Sequence, residues 1–405
     1  MTAETHDVLI VGGGPAGAAL ATELARAGRD VVVVERELGP HDKVCGEFLS
    51  GEALDMLERL GIDVAALGAV PICAVGVSRG SWRTERPLPF RAMSLSRRVL
   101  DEALLTLAGD SGARALRGSA VRELRTAEEG WRARLACGRT IVARHAVLAT
   151  GKHDLRGHAR PPGRQNDLIG FKTVFRLPDA ARRALEDGVE IGLFPGGYAG
   201  LEPIEGGRAN LCLVVTMRAF AELGGGWDAL AAHLRASVAR FEAALAGAEP
   251  LFERPLAVSR IPYGLVRRGG EGDGLWRVGD QAAVVPSFAG EGVTLALHGA
   301  RLAARGLLDG RAAGAFQATL ATDLAPQIRF ATALSRMIVH PAGQALAPLA
   351  APTLLRWLAG ATRLRPRGDG PSPRLVACRP RAGLGHSGET AGAVRWPIAQ
   401  ESGKR

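Results

Sequence analysis

The sequence predicts a mixed α/β fold, with one sheet of parallel strands, a second, antiparallel sheet inserted into it, and helices after both. The first observation is a short β-branched run, Asp7 to Val11, that meets a glycine-rich turn and an Ala/Leu-rich helical stretch ending near Gly28. The second is a later strand, glycine turn and helix between residues 275 and 308. The third is a set of alternating apolar runs between these two blocks.

The composition is that of a folded protein, with 405 residues of which 47% are hydrophobic and 23% are charged. These proportions exclude a wholly disordered chain, a collagen-like repeat and a membrane bundle. No apolar run approaches the roughly 18 to 20 residues that span a bilayer, and the turn at Gly12 comes too early for a secretory signal. Five cysteines without metal-type spacing predict no metal site and, with the missing signal, a cytoplasmic protein.

The net charge of +10, from 51 basic and 41 acidic residues, at first suggests a nucleic-acid or anionic membrane partner. The stretch from Arg363 to Arg405 holds nine basic and three acidic residues, and therefore +6 of the +10. Because that stretch is rich in Pro and Gly and has no periodicity, we expect residues 363–405 to be a disordered tail. The sequence therefore predicts no nucleic-acid partner and at most a peripheral contact with a membrane.

The first strand and helix enclose a Gly-x-Gly-x-x-Gly motif. Gly12 allows the tight turn, Gly14 lets a pyrophosphate approach the helix N-terminus, and Gly17 permits close packing of helix on strand. A second buried strand follows and ends at Glu35, where a carboxylate can accept hydrogen bonds from an adenosine ribose. An acid here disfavours a 2′-phosphate, so the ligand is FAD or NAD rather than NADP. The predicted contacts at this Rossmann-type end are Gly12, Gly14, Pro15, Ala16, Gly17, Glu35 and Arg36.

The later block decides between those two cofactors. Residues 275–280 form a strand pattern that ends in Gly-Asp, and a long helix begins near Val293. Asp280 can bind a ribityl hydroxyl, and the helix directs N–H groups and its positive dipole end at the flavin N1/C2 carbonyl edge, where reduction deposits charge. We therefore predict FAD. The predicted contacts in this block are Gly279, Asp280, Pro286, Gly290, Gly292 and Val293.

These motifs occur together with DKVCGEFLS (42–50), LSRRVLDEAL (95–104) and AVLATGKH (146–153). On all of these segments, residues 5 to 340 resemble the FAD-dependent oxidoreductases of the para-hydroxybenzoate hydroxylase-like fold, particularly the geranylgeranyl reductase-like branch. The resemblance implies that Arg97 lies near the FAD pyrophosphate. It also implies that Thr150 and Gly151 lie beside the cofactor, and that the segment Lys43 to Gly46, which includes Cys45, lies beside the isoalloxazine.

The resemblance divides the chain into a discontinuous FAD-binding domain and an inserted substrate domain. We expect the FAD-binding domain to comprise residues 5–80, 97–165 and 270–325, and the substrate domain to comprise residues 81–96 and 166–265. Apolar runs at residues 169–175, 189–194 and 209–215 predict the antiparallel sheet of the substrate domain, one wall of a cavity over the flavin. Helices follow at 326–362. They either pack on the domains, or line an apolar substrate tunnel or touch a membrane surface.

The candidate catalytic residues are Cys45, Lys43, Lys172 and Glu291. Ser50 stands where a CxxxxC motif would have its second cysteine, so Cys45 is either a single polarizable thiol near the flavin or a packed side chain. Each of the two lysines either stabilises reduced flavin or a bound anion, or is solvated. Glu291 is a proton donor or a charge at the helix N-terminus. The phenols Tyr198 and Tyr263 are candidates for orienting substrate.

The resemblance implies an FAD-dependent monooxygenase, in which a C4a-hydroperoxyflavin passes oxygen to a hydrophobic aromatic, polyketide or isoprenoid small molecule. The alternative is an FAD-dependent reductase of isoprenoid or lipid double bonds. A remote third is a basic nucleic-acid or membrane-binding protein with a vestigial Rossmann domain. NADH, NADPH or an external reductase or electron carrier supplies the electrons, since the chain has no second glycine fingerprint. The WxWxIP signature of flavin halogenases is absent, and the Asp-Gly pair of hydroxylases of this fold is missing after the segment 146–153.

Overall fold

The computed structural model describes residues 4–128, 130–269, 274–349 and 360–363. Residues 364–405, in the predicted disordered tail, lie outside this range, as do residues 350–359 of the predicted C-terminal helices. In the described parts the fold is mixed α/β, and this prediction from the sequence is confirmed. No helix there is both long and apolar enough to cross a membrane.

The strands and helices are numbered here in chain order. The strands are β1 (Glu4–Val11), β2 (Val31–Val34), β3 (Phe48–Ser50), β4 (Val70–Pro71), β5 (Ala74–Arg79), β6 (Trp82–Pro87), β7 (Ala92–Ser94), β8 (Arg114–Leu116), β9 (Val121–Ala127), β10 (Gly130–Leu135), β11 (Thr140–Leu148), β12 (Leu168–Arg176), β13 (Gly188–Phe194), β14 (Gly197–Ile204), β15 (Arg208–Thr216), β16 (Glu249–Pro250), β17 (Leu256–Ser259) and β18 (Trp276–Arg277). The helices are α1 (Pro15–Arg26), α2 (Gly51–Leu60), α3 (Arg97–Asp110), α4 (Asp179–Leu185), α5 (Met217–Glu222), α6 (Trp227–Ser237), α7 (Ala239–Leu245), α8 (Gly292–Leu308), α9 (Ala313–Val339) and α10 (Pro341–Ala345).

The first sheet has the strand order β8-β2-β1-β11-β10-β9, and β18 pairs with β11. Strands β8, β2, β1, β11 and β18 run parallel, because helices and long connections return the chain to the same edge between them. The second half of β1, all of β2 and the end of β11 are apolar and buried, as is typical of the centre of a parallel sheet. Helices α1 and α8 pack together on this sheet through small residues, among them Ala18, Ala21 and Ala300.

The second sheet has the order β16-β12-β15-β14-β13-β5-β6, with β17 on β12. Strands β12, β15, β14 and β13 are antiparallel neighbours, and three of them coincide with the predicted apolar runs. Strand β14, which lies between two of these runs in the chain, was not named by the sequence analysis. Strand β5 joins this sheet beside β13, although it lies within the stretch 5–80 that the sequence analysis gave to the FAD-binding domain.

A short third sheet, β3-β7-β4, lies between the two large ones. It brings the segment 42–50 against strands of the chain that precede α3. The end of β1, the start of α1, the start of α3, the segment 42–50 and the start of α8 therefore meet in one region, which is where the sequence predicts the cofactor.

Candidate functional site

The glycine motif has the backbone geometry that a dinucleotide site needs. Gly12 has a φ of +109°, and a Cβ at this position would lie 2.4 Å from the carbonyl oxygen of Ala149. A Cβ on Gly17 would lie 1.9 Å from the carbonyl oxygen of Gly12. Gly14 is the N-cap of α1 and has no side chain to bond to the N–H groups of the first turn. Those donors and the helix dipole therefore remain directed at an anion.

Two cations and one carboxylate lie beside this helix start. The Arg97 guanidinium donates to both oxygens of Asp101 at 2.6 and 2.9 Å, and Lys43 Nζ donates to Asp101 Oδ2 at 2.7 Å. A Cβ on Gly14 would lie 3.5 Å from the Arg97 guanidinium and 3.8 Å from Lys43 Nζ. The pair of cations exceeds its single acid by one positive charge, which suits a pyrophosphate. Lys43 therefore lies beside the start of α1, and the place beside the isoalloxazine that the resemblance implies stays a prediction.

Glu35 ends β2 on the other side of the motif. Its Oε2 accepts from the Gly13 N–H at 2.7 Å and its Oε1 from the Glu37 N–H at 3.0 Å, so its carboxylate is held at the turn. Arg36 is exposed and its guanidinium lies 3.2 Å from His153 Nε2. The position of Glu35 is the one at which an adenosine ribose is bound in this type of site.

The strand β11 ends beside the later block of the predicted site. Gly151 has a φ of +61°, and its carbonyl oxygen accepts from Gln281 Nε2 at 2.9 Å. Gln281 is fully buried and donates also to the His153 carbonyl oxygen at 3.1 Å. This side chain, which the sequence analysis did not single out, fixes Thr150 and Gly151 against Gly279 and Asp280. The structure therefore brings these four predicted residues together.

The segment that contains Cys45 includes a non-glycine residue in the left-handed backbone conformation. Glu47 has a φ of +63°, the left-handed region that costs a non-glycine residue roughly 1 to 2 kcal/mol. Its buried carboxylate is bonded to the fully buried Lys172 Nζ and accepts the Arg97 backbone N–H at 3.1 Å. Lys172 Nζ also donates to Asp42 Oδ1 at 3.2 Å. Lys172 thus points inward, but it faces these carboxylates rather than the cavity described below.

Burial and charge act in opposite directions on this pair. Desolvation raises the pKa of Glu47, and the Lys172 ammonium opposes that rise. The two carboxylates raise the pKa of Lys172 against its own desolvation, so the ammonium remains charged. Arg97, beside Asp101, likewise has a raised pKa. The segment 42–47 is therefore held by charge pairs on both of its sides.

The start of α8 meets the same segment. Gly290 has a φ of +66°, and a Cβ there would lie 2.6 Å from the Phe48 ring. Pro286 begins the turn before the helix, and Gly292 and Val293 begin the helix itself. Glu291 is buried and forms an ion pair with Arg363, whose guanidinium also donates to the Ala289 carbonyl oxygen. Glu291 is therefore a paired charge at the helix start in this structure.

A cavity of about 550 Å³ opens between the second sheet and these segments. Gly46 and Phe48 line one side, and the turn Ser287–Gly290 lines another. Apolar side chains of β5, β13 and β14 and of the end of α9 form most of the remaining wall. The C-terminal helix thus contributes to the lining, in agreement with the second of the two roles that the sequence left open.

Two of the polar side chains that line the cavity come from β14. Tyr198 lines it, and its hydroxyl lies 2.9 Å from Ser287 Oγ. Burial raises the pKa of Tyr198 to about 12, and the pKa of Tyr263 is also raised well above its usual value. Glu202 lines the cavity too, and burial together with Glu47 raises its pKa well above the ordinary value. The sequence analysis did not name Glu202, because β14 itself carried no strand signal.

The residues present fit FAD over the length of the site. A side chain in place of Gly12 or Gly17 would clash with the backbone. The N–H donors of the first turn of α1 have no side-chain cap, and the net positive charge of Lys43, Arg97 and Asp101 lies beside that turn. The residues that would hold the cofactor run from Glu35 past Arg97 to the start of α8, and the cavity adjoins the far end. These features define a flavin site with a mostly apolar cavity beside it.

Comparison with known proteins agrees with this geometry. Residues 5–151 match the family described as "FAD binding domain". The chain is 29% identical over 319 residues to the menaquinone reductase of Mycolicibacterium smegmatis, covering 75% of this chain and 76% of that one. The Mycobacterium tuberculosis menaquinone reductase is 28% identical over 76% of this chain and 78% of its own. A squalene monooxygenase of Candida glabrata is 36% identical over 90 residues, 22% of this chain and 18% of its own.

Two solved structures share the fold. The "probable FAD-dependent monooxygenase" PqsL of Pseudomonas aeruginosa has a TM-score of 0.63 at 21% identity, with 88% of this chain and 99% of that one covered. The myxobacterial chondrochloren halogenase CndH has a TM-score of 0.72 at 20% identity, with 89% and 91% covered. The chain is a flavin-dependent oxidoreductase of the para-hydroxybenzoate hydroxylase-like fold, and its cofactor is FAD.

Proposed function

We propose that the protein is an FAD-dependent monooxygenase of a hydrophobic small molecule of aromatic, polyketide or isoprenoid type. The observation that carries this proposal is the cavity of about 550 Å³, whose mostly apolar wall adjoins both segments that would face the flavin. Such a space excludes water from the reacting atoms, which oxygen transfer by a reduced flavin requires. Under this proposal the second sheet and its neighbours form the substrate domain.

Bound FAD would supply the redox chemistry. The first turn of α1, with Arg97 and Lys43, would bind its pyrophosphate, and Glu35 would bind its ribose. The backbone N–H groups at Gly292 and Val293 begin α8, so they would stabilise negative charge on the flavin ring. Cys45 lies beside Gly46 at this end, and its Sγ accepts the Glu47 N–H at 3.3 Å, which favours a packed thiol.

Reduction of an isoprenoid double bond is the second candidate. It is favoured by the relatives with the longest matches given above, both of which are menaquinone reductases and cover three quarters of this chain. A reductase would use the same dry cavity for hydride transfer. The halogenase CndH shares the fold, but this chain lacks the paired tryptophans of the halogenase signature.

We further propose that NADH or NADPH, or a separate flavin reductase, supplies the electrons. The chain has no second glycine fingerprint, so a nicotinamide would visit the site transiently. The test for this part is the rate of flavin bleaching under anaerobic conditions with each nicotinamide, with and without an added flavin reductase.

Oxygen use separates the two reactions. The purified yellow protein would be reduced anaerobically and mixed with air and a panel of naphthols, alkylphenols and prenylated quinones. Incorporation of ¹⁸O from ¹⁸O₂ into a product, with substrate-dependent oxygen consumption, is the result expected for a monooxygenase. Reoxidation of the flavin by a prenylated quinone without oxygen, with a saturated side chain as product, would instead establish the reductase. A protein that takes up no FAD on reconstitution would overturn both.

A further inference from the structure

Glu202 is a buried carboxyl group at the wall of the cavity. It lies on β14, opposite Asn210 of β15, and only 3% of the residue is exposed. Its Oε1 is 3.4 Å from Asn210 Nδ2, and Asn210 uses the same amide to donate to the Cys45 carbonyl oxygen at 3.1 Å. Its Oε2 has no hydrogen-bond partner among the described residues. Glu202 lines the cavity, and one of its oxygens is a buried atom whose hydrogen-bonding capacity no described residue uses.

Burial and the neighbouring Glu47 carboxylate raise the pKa of Glu202 well above its ordinary value. Three carboxyl groups, those of Asp42, Glu47 and Glu202, lie around one cation, Lys172. Lys172 already contacts the first two, and its charge lowers the pKa of Glu202 less than burial and Glu47 raise it. This environment favours the protonated carboxyl group, which is a hydrogen-bond donor as well as an acceptor.

Three other polar side chains that line the cavity, those of Tyr198, Arg363 and Arg86, are engaged with protein partners. The Tyr198 hydroxyl is bonded to Ser287, and the Arg363 guanidinium is paired with Glu291 and lies 4.5 Å from the centre of the Phe90 ring. The Arg86 guanidinium donates to the Glu85 carbonyl oxygen at 2.6 Å. The remaining wall is mostly apolar. A ligand that brings one acceptor oxygen to Glu202 would satisfy its proton, whereas a hydrocarbon would leave it unbonded.

We propose that Glu202 is the hydrogen-bond donor that binds an uncharged acceptor oxygen, such as a ketone or quinone carbonyl, on an otherwise apolar substrate. The proposal rests on the proposed function in one respect, that the substrate occupies this cavity. The proposal extends that function by naming the substrate class: neutral oxygenated compounds are selected over hydrocarbons of the same shape. Carboxylates are rejected, because Glu47 and the other acids lie behind Glu202.

The test uses two probes that differ by one carbonyl group, 1-tetralone and tetralin. Their affinities for the FAD-loaded protein are measured by calorimetry for the natural chain, Glu202→Gln and Glu202→Leu. We expect the natural protein to bind 1-tetralone about tenfold or more tightly than tetralin. Glu202→Gln keeps a donor and should retain that preference within about threefold. Glu202→Leu should abolish it while leaving tetralin binding in place.

The matched control is Glu190→Gln, which removes a buried carboxylate of the neighbouring strand β13. Glu190 is paired with Ser78 and Arg83 and does not line the cavity. The control should therefore leave the preference unchanged. If Glu202→Leu does not fold, the comparison of the natural protein with Glu202→Gln across pH decides the matter.

The pH dependence is a second measurement. In the natural protein the preference for 1-tetralone should fall as pH rises through the raised pKa of Glu202, because an ionised carboxylate cannot donate. In Glu202→Gln it should stay flat, although Asp42, Glu47, Cys45, Cys212 and Lys172 all remain in place around the position. A preference that survives Glu202→Leu, or is lost equally in Glu202→Gln, overturns the proposal. A preference that follows the expected pattern in a protein without oxygen-dependent turnover would support the binding site and refute the monooxygenase.

Discussion

Replacing Lys172 by methionine should destabilise the protein strongly, because Lys172 is the cation of a fully buried ion pair. Both side chains of the pair, Lys172 and Glu47, are 0% exposed. Methionine fills nearly the same volume but cannot donate a hydrogen bond. Of the hydrogen bonds to the Glu47 carboxylate described above, the one from the Arg97 backbone N–H would remain. Breaking a buried pair on one side costs about 3 to 5 kcal/mol. We expect a loss of that size in the free energy of unfolding at pH 8.

A double variant that also replaces Glu47 removes both charges of the buried pair. In Lys172→Met with Glu47→Gln, the neutral amide keeps an oxygen for the Arg97 N–H, and the Asp42 carboxylate, which loses Lys172, keeps its ion pair with Arg98 at 3.9 Å. We expect most of the lost free energy to return. Glu47→Gln alone should cost less, about 1 to 3 kcal/mol, since Lys172 keeps Asp42 at 3.2 Å.

The pH dependence follows from the sign of the pKa shift. The pKa of Glu47 is raised in the folded protein, and removing Lys172 raises it further. The folded variant then binds a proton that the unfolded chain releases, so stability falls as pH rises from the unfolded value of about 4.3 to the folded pKa. The deficit of Lys172→Met should therefore be smaller at pH 5 than at pH 8.

Urea unfolding of the FAD-loaded proteins, followed by flavin fluorescence and circular dichroism, measures these free energies. Lys152→Met is the matched control, because Lys152 Nζ donates to the Val44 carbonyl oxygen and has no carboxylate among its hydrogen-bond partners in the described structure. It should cost about 1 kcal/mol. Equal losses for the two lysines, or a double variant no more stable than Lys172→Met, would refute the reasoning.

Three further predictions concern the cofactor end and the cavity. Gly17→Ala should abolish FAD uptake, because its Cβ would lie 1.9 Å from a backbone oxygen. The control Gly109→Ala on α3 should retain FAD, because its Cβ would meet nothing within 4 Å. The flavin absorbance of the two purified proteins measures their FAD content. Arg97→Met should weaken FAD binding about 10- to 100-fold in a fluorescence titration, and an unchanged affinity would place the pyrophosphate elsewhere. Tyr198 and Tyr263, the two tyrosines of the chain, should show no tyrosinate absorbance at pH 10 while folded, since the pKa of Tyr198 is about 12 and that of Tyr263 is also raised. Because unfolded tyrosines ionise near 10, stability should fall as pH rises from about 10 toward 12.

The cofactor end was predictable because its chemistry is local in the sequence. A strand, three glycines at fixed spacing, a helix and an acid specify the turn, the anion site and the ribose contact without reference to distant residues. Gly12, Gly17 and Glu35 have the backbone and carboxylate positions that this pattern predicts. The later block at the start of α8 was predictable for the same reason.

The arrangement of the charges was not predictable, because it depends on which segments meet. Lys43 and Arg97 are separated by more than fifty residues and share Asp101. Both lie in segments that the sequence analysis singled out, as does Asp101 in LSRRVLDEAL, but nothing in the spacing indicates that they meet. Lys172 on β12 and Glu47 in the segment 42–50 are a second example, with 125 positions between them.

Strand β14 illustrates a different limit. Its sequence, GYAGLEPI, holds two glycines and a proline, residues that disfavour strands, so the pattern shows turns where a central strand lies. The strand forms because β13 and β15 supply partners on both sides. Small residues here also leave room for the cavity, and they place Tyr198 and Glu202 at its wall. A better signal for β14 is that it lies in the short stretch between two clear strand patterns, β13 and β15, and that a Gly-Gly turn stands at each end of this stretch.

The segment 42–47 separates two electrostatic environments. On the side of α1 and α3, Lys43 and Arg97 exceed Asp101 by one positive charge, which favours the doubly anionic pyrophosphate. On the side of the second sheet, three carboxyl groups surround Lys172, so that region repels further anions and holds Glu202 as a neutral acid. If the substrate occupies the cavity, as proposed above, the anionic cofactor and an uncharged substrate would bind next to different charge environments of one short loop. A substrate that carried a carboxylate would then be attracted to the side of Lys43 and Arg97 and repelled from the cavity, so this loop would disfavour anionic competitors at the reacting end.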